Sequence, residues 1–166
     1  MSTRWVSRRV TVSSSQELGS AGRAAVQYLK ELGARPVAGL RASRLGEGEA
    51  LAGVSMDLDS ASTMPGFEFA VGLAAPVSGN AVRHVRDGGQ LASAVQVPED
   101  ANAGGRIPIH NIMTYEDPAM LQRIADAAER GDLVIPIAKR FGLGEVAQAH
   151  KALAGGPRGK IILTVS

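Results

Sequence analysis

Residues 8–40, RRVTVSSSQELGSAGRAAVQYLKELGARPVAGL, carry the pattern that decides the fold of this chain. In RRVTVSS, valine alternates with polar residues and then gives way to serines, which predicts a first strand over Arg9–Val12. A helix follows over 21–32. Its apolar positions Ala25, Leu29 and Leu32 recur at i, i+4 and i+7, and Gly33 supplies the left-handed residue that commonly closes a helix. ARPVAGL is then a second strand. A strand, a helix and a second strand in close succession make a parallel pair, because parallel neighbours need a crossover of about a dozen residues.

The same rhythm continues downstream. GEGEALAGVSMDLD predicts a weak helix, diluted by glycine, and a short third strand near Met56–Leu58. FEFAVGLAAPV, Phe67–Val77, is an almost unbroken apolar run ended by proline, the pattern of a strand covered on both faces. GNAVRHVRDGG predicts a helix closed by Gly88 or Gly89, and QLASAVQV the next strand. RIPIHNIMTY alternates over Ile107, Ile109 and Ile112, but Pro108 confines it to an edge or to the start of a strand. EDPAMLQRIADAAERG predicts a helix with Asp117 as N-cap and Pro118 at its first position. Leu121, Ile124, Ala125 and Ala128 share one face of it, and Gly131 stops it. DLVIPI reads as a strand, LGEVAQAHKALAGG as an amphipathic helix with Val146, Ala147, His150 and Leu153 inward, and KIILTV as the closing strand. This alternation predicts an α/β fold with a doubly wound, mostly parallel sheet. A single domain over 1–166 is expected, with 1–7 as a lead-in, since no linker or repeat divides the chain.

Composition excludes several classes of function. The net charge is only +2, and the basic residues are scattered rather than interleaved with aromatics, so no nucleic-acid partner is expected. The chain has no cysteine, which removes disulfides, thiolate nucleophiles and cysteine zinc sites. His84, His110 and His150 have no metal-ligand spacing, and no metal is expected. No apolar run approaches the ~18 residues that span a bilayer, and MSTRWVSRRVTV lacks the apolar segment of a signal peptide. No membrane association and a cytoplasmic location are the expectations.

Three segments carry a family resemblance: AAVQYLKELGARPVAG after the glycine turn, VRDGGQLASAV in the middle, and LQRIADAAERGDLVIPIAKRFGLGEVAQAHKALAGGPRGKIILTV at the end. Together they resemble the medium-chain dehydrogenase/reductase family, in its zinc-free quinone-reductase and enoyl-reductase branch. The similarity runs from about Arg8 to Val165 and implies a Rossmann-like domain. Members of that family have two domains, a GroES-like one with much of the substrate site and a Rossmann one that carries NADPH. This chain looks like the second alone. The unusual STRWVS lead-in favours a natural standalone protein over a fragment.

In such domains the turn G-x-G-x-x-G lets the pyrophosphate approach the backbone at a helix N-terminus. Its three positions fall here on Glu17, Gly19 and Gly22, with Ser20 between the glycines. Gly22 has a packing role with or without a nucleotide, so Gly19 is the glycine that argues for one. Glu17 argues against it. A carboxylate about 4 Å from a phosphate charge costs roughly 1 kcal/mol at water-like screening and about 4 kcal/mol at an effective dielectric of 20. Two readings of Glu17 stand. It faces the crevice, or it closes a capping box with Ser14. After the second strand, Arg41 and Arg44 replace the acid with which NAD binders hold the ribose and suit a 2′-phosphate, so a bound nucleotide would be NADP(H). Two solvated surface arginines are the other reading.

The crevice outside the carboxyl ends of the strands is expected to be lined by residues 13–17, 74–77 and 96–100. Glu17 and Asp100 are its candidate acid/base groups, since apolar walls raise a carboxylate's pKa. Two functions remain open. One is an NADP(H)-linked oxidoreductase of the quinone or enoyl type reduced to its Rossmann domain. The other is a non-redox cyclase or isomerase of secondary metabolism that uses the vacated crevice for a small hydrophobic substrate. The resemblance also implies a homodimer through the edge strand, Arg106–Thr114 here, which would cover an otherwise aggregation-prone edge.

Overall fold

The computed structural model describes residues 9–13, 19–60, 66–73 and 75–165. In chain order the elements are β1 (Arg9–Ser13), α1 (Ser20–Glu31), β2 (Arg35–Leu40), α2 (Leu45–Ala52), β3 (Ser55–Asp57), β4 (Phe67–Gly72) and α3 (Ala75–His84). There follow β5 (Val85–Ser93), β6 (Ile109–Asn111), α4 (Pro118–Glu129), β7 (Ile137–Gly142), α5 (Val146–Ala154) and β8 (Lys160–Thr164). Six strands form one sheet in the order β3-β2-β1-β4-β5-β6, and every pairing is parallel. This is the strand order of a Rossmann fold. The direction of winding reverses between β1 and β4, which opens a crevice at their carboxyl ends.

Burial follows from the crossovers. Ala38 and Leu40 of β2 pack beneath Val26 of α1, with Leu29 and Leu51 beside them. Val37, one residue out of phase, joins Met56 and Phe67 in a separate cluster, so β2 is covered on both faces. A third cluster joins Ala81 and Val82 of α3 to Ala70, Leu91 and Ile107. Gly33 follows α1 at φ 76°, the left-handed geometry expected of it.

Four expectations need correction. The apolar run of residues 67–77 is not one strand: β4 stops at Gly72 and α3 starts at Ala75. A continuous apolar run has no period, and therefore cannot mark where a buried strand yields to a helix. Gly88 and Gly89 do not close α3, which ends at His84 with β5 directly after it. They lie in a register shift, because Phe67 pairs with Val85 while Phe69 pairs with Gln90. There Gly88 takes φ 73°, and a Cβ on Gly89 would lie 2.6 Å from Val85 Cγ1.

DLVIPI is not a strand either. The amides of Asp132 and Leu133 both donate to the carbonyl of Ala127 at the end of α4, and extended structure begins only at Ile137. β7 then pairs with β8 in a separate two-stranded sheet. Finally, α5 does not turn Val146, Ala147, His150 and Leu153 inward. All four are exposed, and Ala149 is the buried residue of the helix. The apolar spacing of α5 is real, but the described chain provides nothing to cover that side. α4 behaves similarly. Asp117 caps it as expected, accepting from the Met120 amide at 2.9 Å, yet Leu121 is 67% and Ile124 46% exposed.

Candidate nucleotide site

The crevice side of the sheet begins at the N-terminus of α1. Gly19 is its N-cap at φ −56° and ψ 175°, with no side-chain cap and no acidic residue in the first turn. Any residue adopts that conformation. A Cβ on Gly19 would also meet no described atom within 4 Å. Among the described residues, neither backbone geometry nor packing accounts for the glycine. Ser20 is half-buried and Gly22 is buried.

Glu17 and Ser14 lie outside the described residues. The position of the helix still bears on them: with Gly19 as N-cap, the third helical residue is Gly22, not Glu17.

At the carboxyl end of β2, Arg41 is exposed and a short 3-10 turn, Ala42–Arg44, leads into α2. The Arg44 guanidinium donates to Glu47 Oε1 one turn into that helix. The same oxygen is held by Arg158 Nε at 2.9 Å. Glu47 is well enclosed, its side chain only 12% exposed, so Arg44 carries an internal counterion. The i, i+3 spacing of Arg44 and Glu47 was a legible signal for this pair. Arg158, contributed by the loop before β8, had no local signal at all.

The remaining expectations fall on the other half of the crevice. Asp100 lies in the 3-10 segment Glu99–Gly105 that follows β5, and it is exposed, so the enclosure expected around it is not found. Ala74 is outside the described residues. Ser93, at the end of β5, is buried instead: its hydroxyl donates to the Val95 carbonyl at 2.6 Å and accepts from the Val95 amide at 3.3 Å, turning the chain out of the sheet. No sequence motif marked it.

The edge-strand stretch divides in two. Arg106 is occupied internally, donating to the carbonyls of Val82 at 2.5 Å and Val85 at 2.7 Å near the end of α3. Ile107 is buried, and its amide and carbonyl are both bonded by Asn102. From His110 to Met113 the chain is exposed along the edge of β6. Among the described residues no group of three histidines, carboxylates or cysteines could hold a metal ion, so the described chain offers no fit for zinc. No described helix is long and apolar enough to cross a membrane.

The sequence model of the zinc-binding dehydrogenase family matches residues 32–163. No curated protein matches the chain in sequence. Among solved structures, the quinone oxidoreductase from Coxiella burnetii superposes with a TM-score of 0.79 at 16% identity, over 96% of this chain and 53% of that one. The quinone oxidoreductase of Pseudomonas syringae pv. Tomato DC3000 gives 0.73 at 17% identity, over 95% and 56%. Acetophenone reductase from Geotrichum candidum, solved in complex with NAD, gives 0.71 at 17% identity, over 95% and 48%. At these identities the likeness is one of fold. The chain spans about half the length of the structures it matches.

Proposed function

The chain belongs to the zinc-binding dehydrogenase family, and from that premise we propose that it is the nucleotide-binding half of an NADP(H)-linked reductase. The observation that carries this reading is Gly19, whose backbone any residue could adopt and at which a side chain would meet no described atom, at the N-terminus of the helix after β1. Gly19, Ser20 and Gly22 would face the pyrophosphate with backbone amides and the positive end of the helix. Arg44, with Arg41 beside it, would meet the 2′-phosphate, which a guanidinium fork suits better than a ribose hydroxyl. The bound nucleotide supplies a hydride. The protein's part is to hold it with its reactive face at the crevice.

A second half, carrying the site for a small hydrophobic substrate, completes the proposal. Its support is an apolar surface: Ile137, Leu143, Val146 and Leu153 are 46%, 56%, 41% and 57% exposed around the two-stranded sheet. The non-redox alternative rests on Glu17, which lies outside the described residues, and gains no separate support.

Titration of the chain with NADPH, followed by nucleotide fluorescence, tests the reading. Saturable binding with a Kd of about micromolar order is expected, tightened by Glu17→Gly, because removing a carboxylate near a phosphate recovers about 1–4 kcal/mol. No saturation by NADPH or NADH at millimolar concentration would overturn it.

A further inference from the structure

α1 and α4 face one another across a cleft of about 480 Å³. Tyr28 and Leu32 of α1, Ile124 of α4 and Leu133 after it form apolar walls, and Ala24 and Ala127 are too small to fill the space between them. The volume lies within the range of about 300–1,000 Å³ typical of small-molecule sites. Gln27 holds the two sides in place. Its side chain bonds both the amide and the carbonyl of Val134, at 2.8 and 3.2 Å, and so ties the turn after α4 to α1. One end of the cleft is acidic. Glu31, the last residue of α1, Asp126 in the last turn of α4 and Asp132 after it line that end together with Arg130. Arg130 binds Asp132 at 2.8 Å, and this bond, with the charges of Asp132, Asp126 and Glu31, raises its pKa above the ordinary arginine value against the opposing effect of desolvation. Three carboxylates thus converge on one guanidinium and leave a formal charge of −2 at that end.

The neighbouring polar groups do not cancel this charge. Gln122 donates to Asp126 at 2.7 Å, a neutral contact, and Lys30, the basic residue in the last turn of α1, is engaged with the carbonyl of Leu51. Arg123 also lines the cleft, but it precedes Arg130 by seven residues and stands about 10 Å away along α4. The C-terminal ends of both helices add their partial negative charge at the acidic end. The Tyr28 ring, 51% exposed, lies one turn before Glu31. We propose that this cleft binds a small organic cation with an apolar body, its charged head held among Glu31, Asp126 and Asp132 and its body laid along Tyr28, Ile124 and Leu133. The head meets carboxylates on one side and the negative face of an aromatic ring on the other. An anion of the same shape meets only repulsion there.

Calorimetric titration of the full chain with hexyltrimethylammonium, hexyl sulfate and hexanol, none of which forms micelles at low millimolar concentration, separates charge from apolar contact. The wild type should bind hexyltrimethylammonium saturably, with a Kd of about millimolar order or below for a ligand of this size, and the sulfate and the alcohol at least about tenfold more weakly. Ala127→Leu fills the cleft with another good helix former, and should abolish binding without lowering Tm. Glu31→Lys, at an exposed helix end, should weaken the cation by about tenfold and bring its affinity close to that of the sulfate. NADPH should not displace the cation, because the cleft contains none of Gly19, Ser20, Gly22, Arg41 and Arg44. Absence of saturable binding, equal affinity of the wild type for cation and anion, displacement by NADPH, or wild-type affinity in Ala127→Leu would each overturn the proposal. If Ala127→Leu does not fold, Glu31→Lys decides alone, and an unchanged affinity for the cation in that variant refutes it.

Discussion

Gly48 of α2 shows how tightly one residue can set the distance between layers. A Cβ there would lie 2.7 Å from Ser55 Cβ and 2.8 Å from Ala38 Cβ, closer than carbon atoms approach. Gly48→Ala must therefore push α2 away from β2 and β3. Overpacking of this kind costs about 1–3 kcal/mol, which for a chain of this size lowers Tm by roughly 3–10 °C. Thermal unfolding followed by circular dichroism measures it, and an unchanged Tm would show that α2 is not seated as described. Gly19 is the opposite case. A side chain there meets no described atom, so its replacement should spare stability and act on the ligand. Reading glycines from sequence alone could not separate these two, because crowding around Gly48 comes from β2 and β3 while no described atom crowds Gly19. Asp117 was legible because a cap is local: acid, proline and apolar helix stand in consecutive positions.

The elements differ in how much of their own structure supports them. β1, β2, β4 and β5 each lie between two strands, whereas β7 and β8 have only each other. A two-stranded sheet is marginal in water, and Phe141 is the buried residue of the one here, with Ala149 buried in the helix between its strands. Gln27 provides a tie across the chain, its amide accepting from Val134 N at 2.8 Å and donating to Val134 O at 3.2 Å, just before β7. Backbone amides of β7 and β8 should therefore exchange with solvent orders of magnitude faster than those of Leu91 and Ala92 in β5. Hydrogen exchange read by mass spectrometry decides this, and equal protection would mean that the two sheets unfold as one. The shift of the last-but-one strand from DLVIPI to Ile137–Gly142 has the same origin. Residues 132–134 satisfy their backbone on α4 and on Gln27, so their apolar β-forming character finds no ladder.

For the whole molecule, the open edge of β6 is the feature with consequences beyond one chain. His110 to Met113 run exposed along it, and Ile112 is 45% and Met113 79% exposed. An unpaired edge with apolar side chains invites a second strand, and pairing across a two-fold axis would satisfy it. The proposed homodimer should appear by light scattering at high micromolar concentration and dissociate on Ile112→Lys. A monomer under those conditions would refute it. Arg106 and Ile107 would play no direct part, since both are already committed to the end of α3 and to the core.

The sequence by itself determined the fold class and most of the element order, because valine alternation, helical spacing and caps are local in origin. It also carried the family resemblance and pointed to the turn before α1 and the arginines after β2. Tertiary structure decided what local patterns cannot encode: where an aperiodic apolar run changes from strand to helix, and which helix faces remain uncovered. It also decided that Arg158, far along the chain, meets Arg44 on one partly buried carboxylate. Such a meeting depends on how the loop before β8 lies against α2, and contacts made by packing leave no period or spacing in the chain.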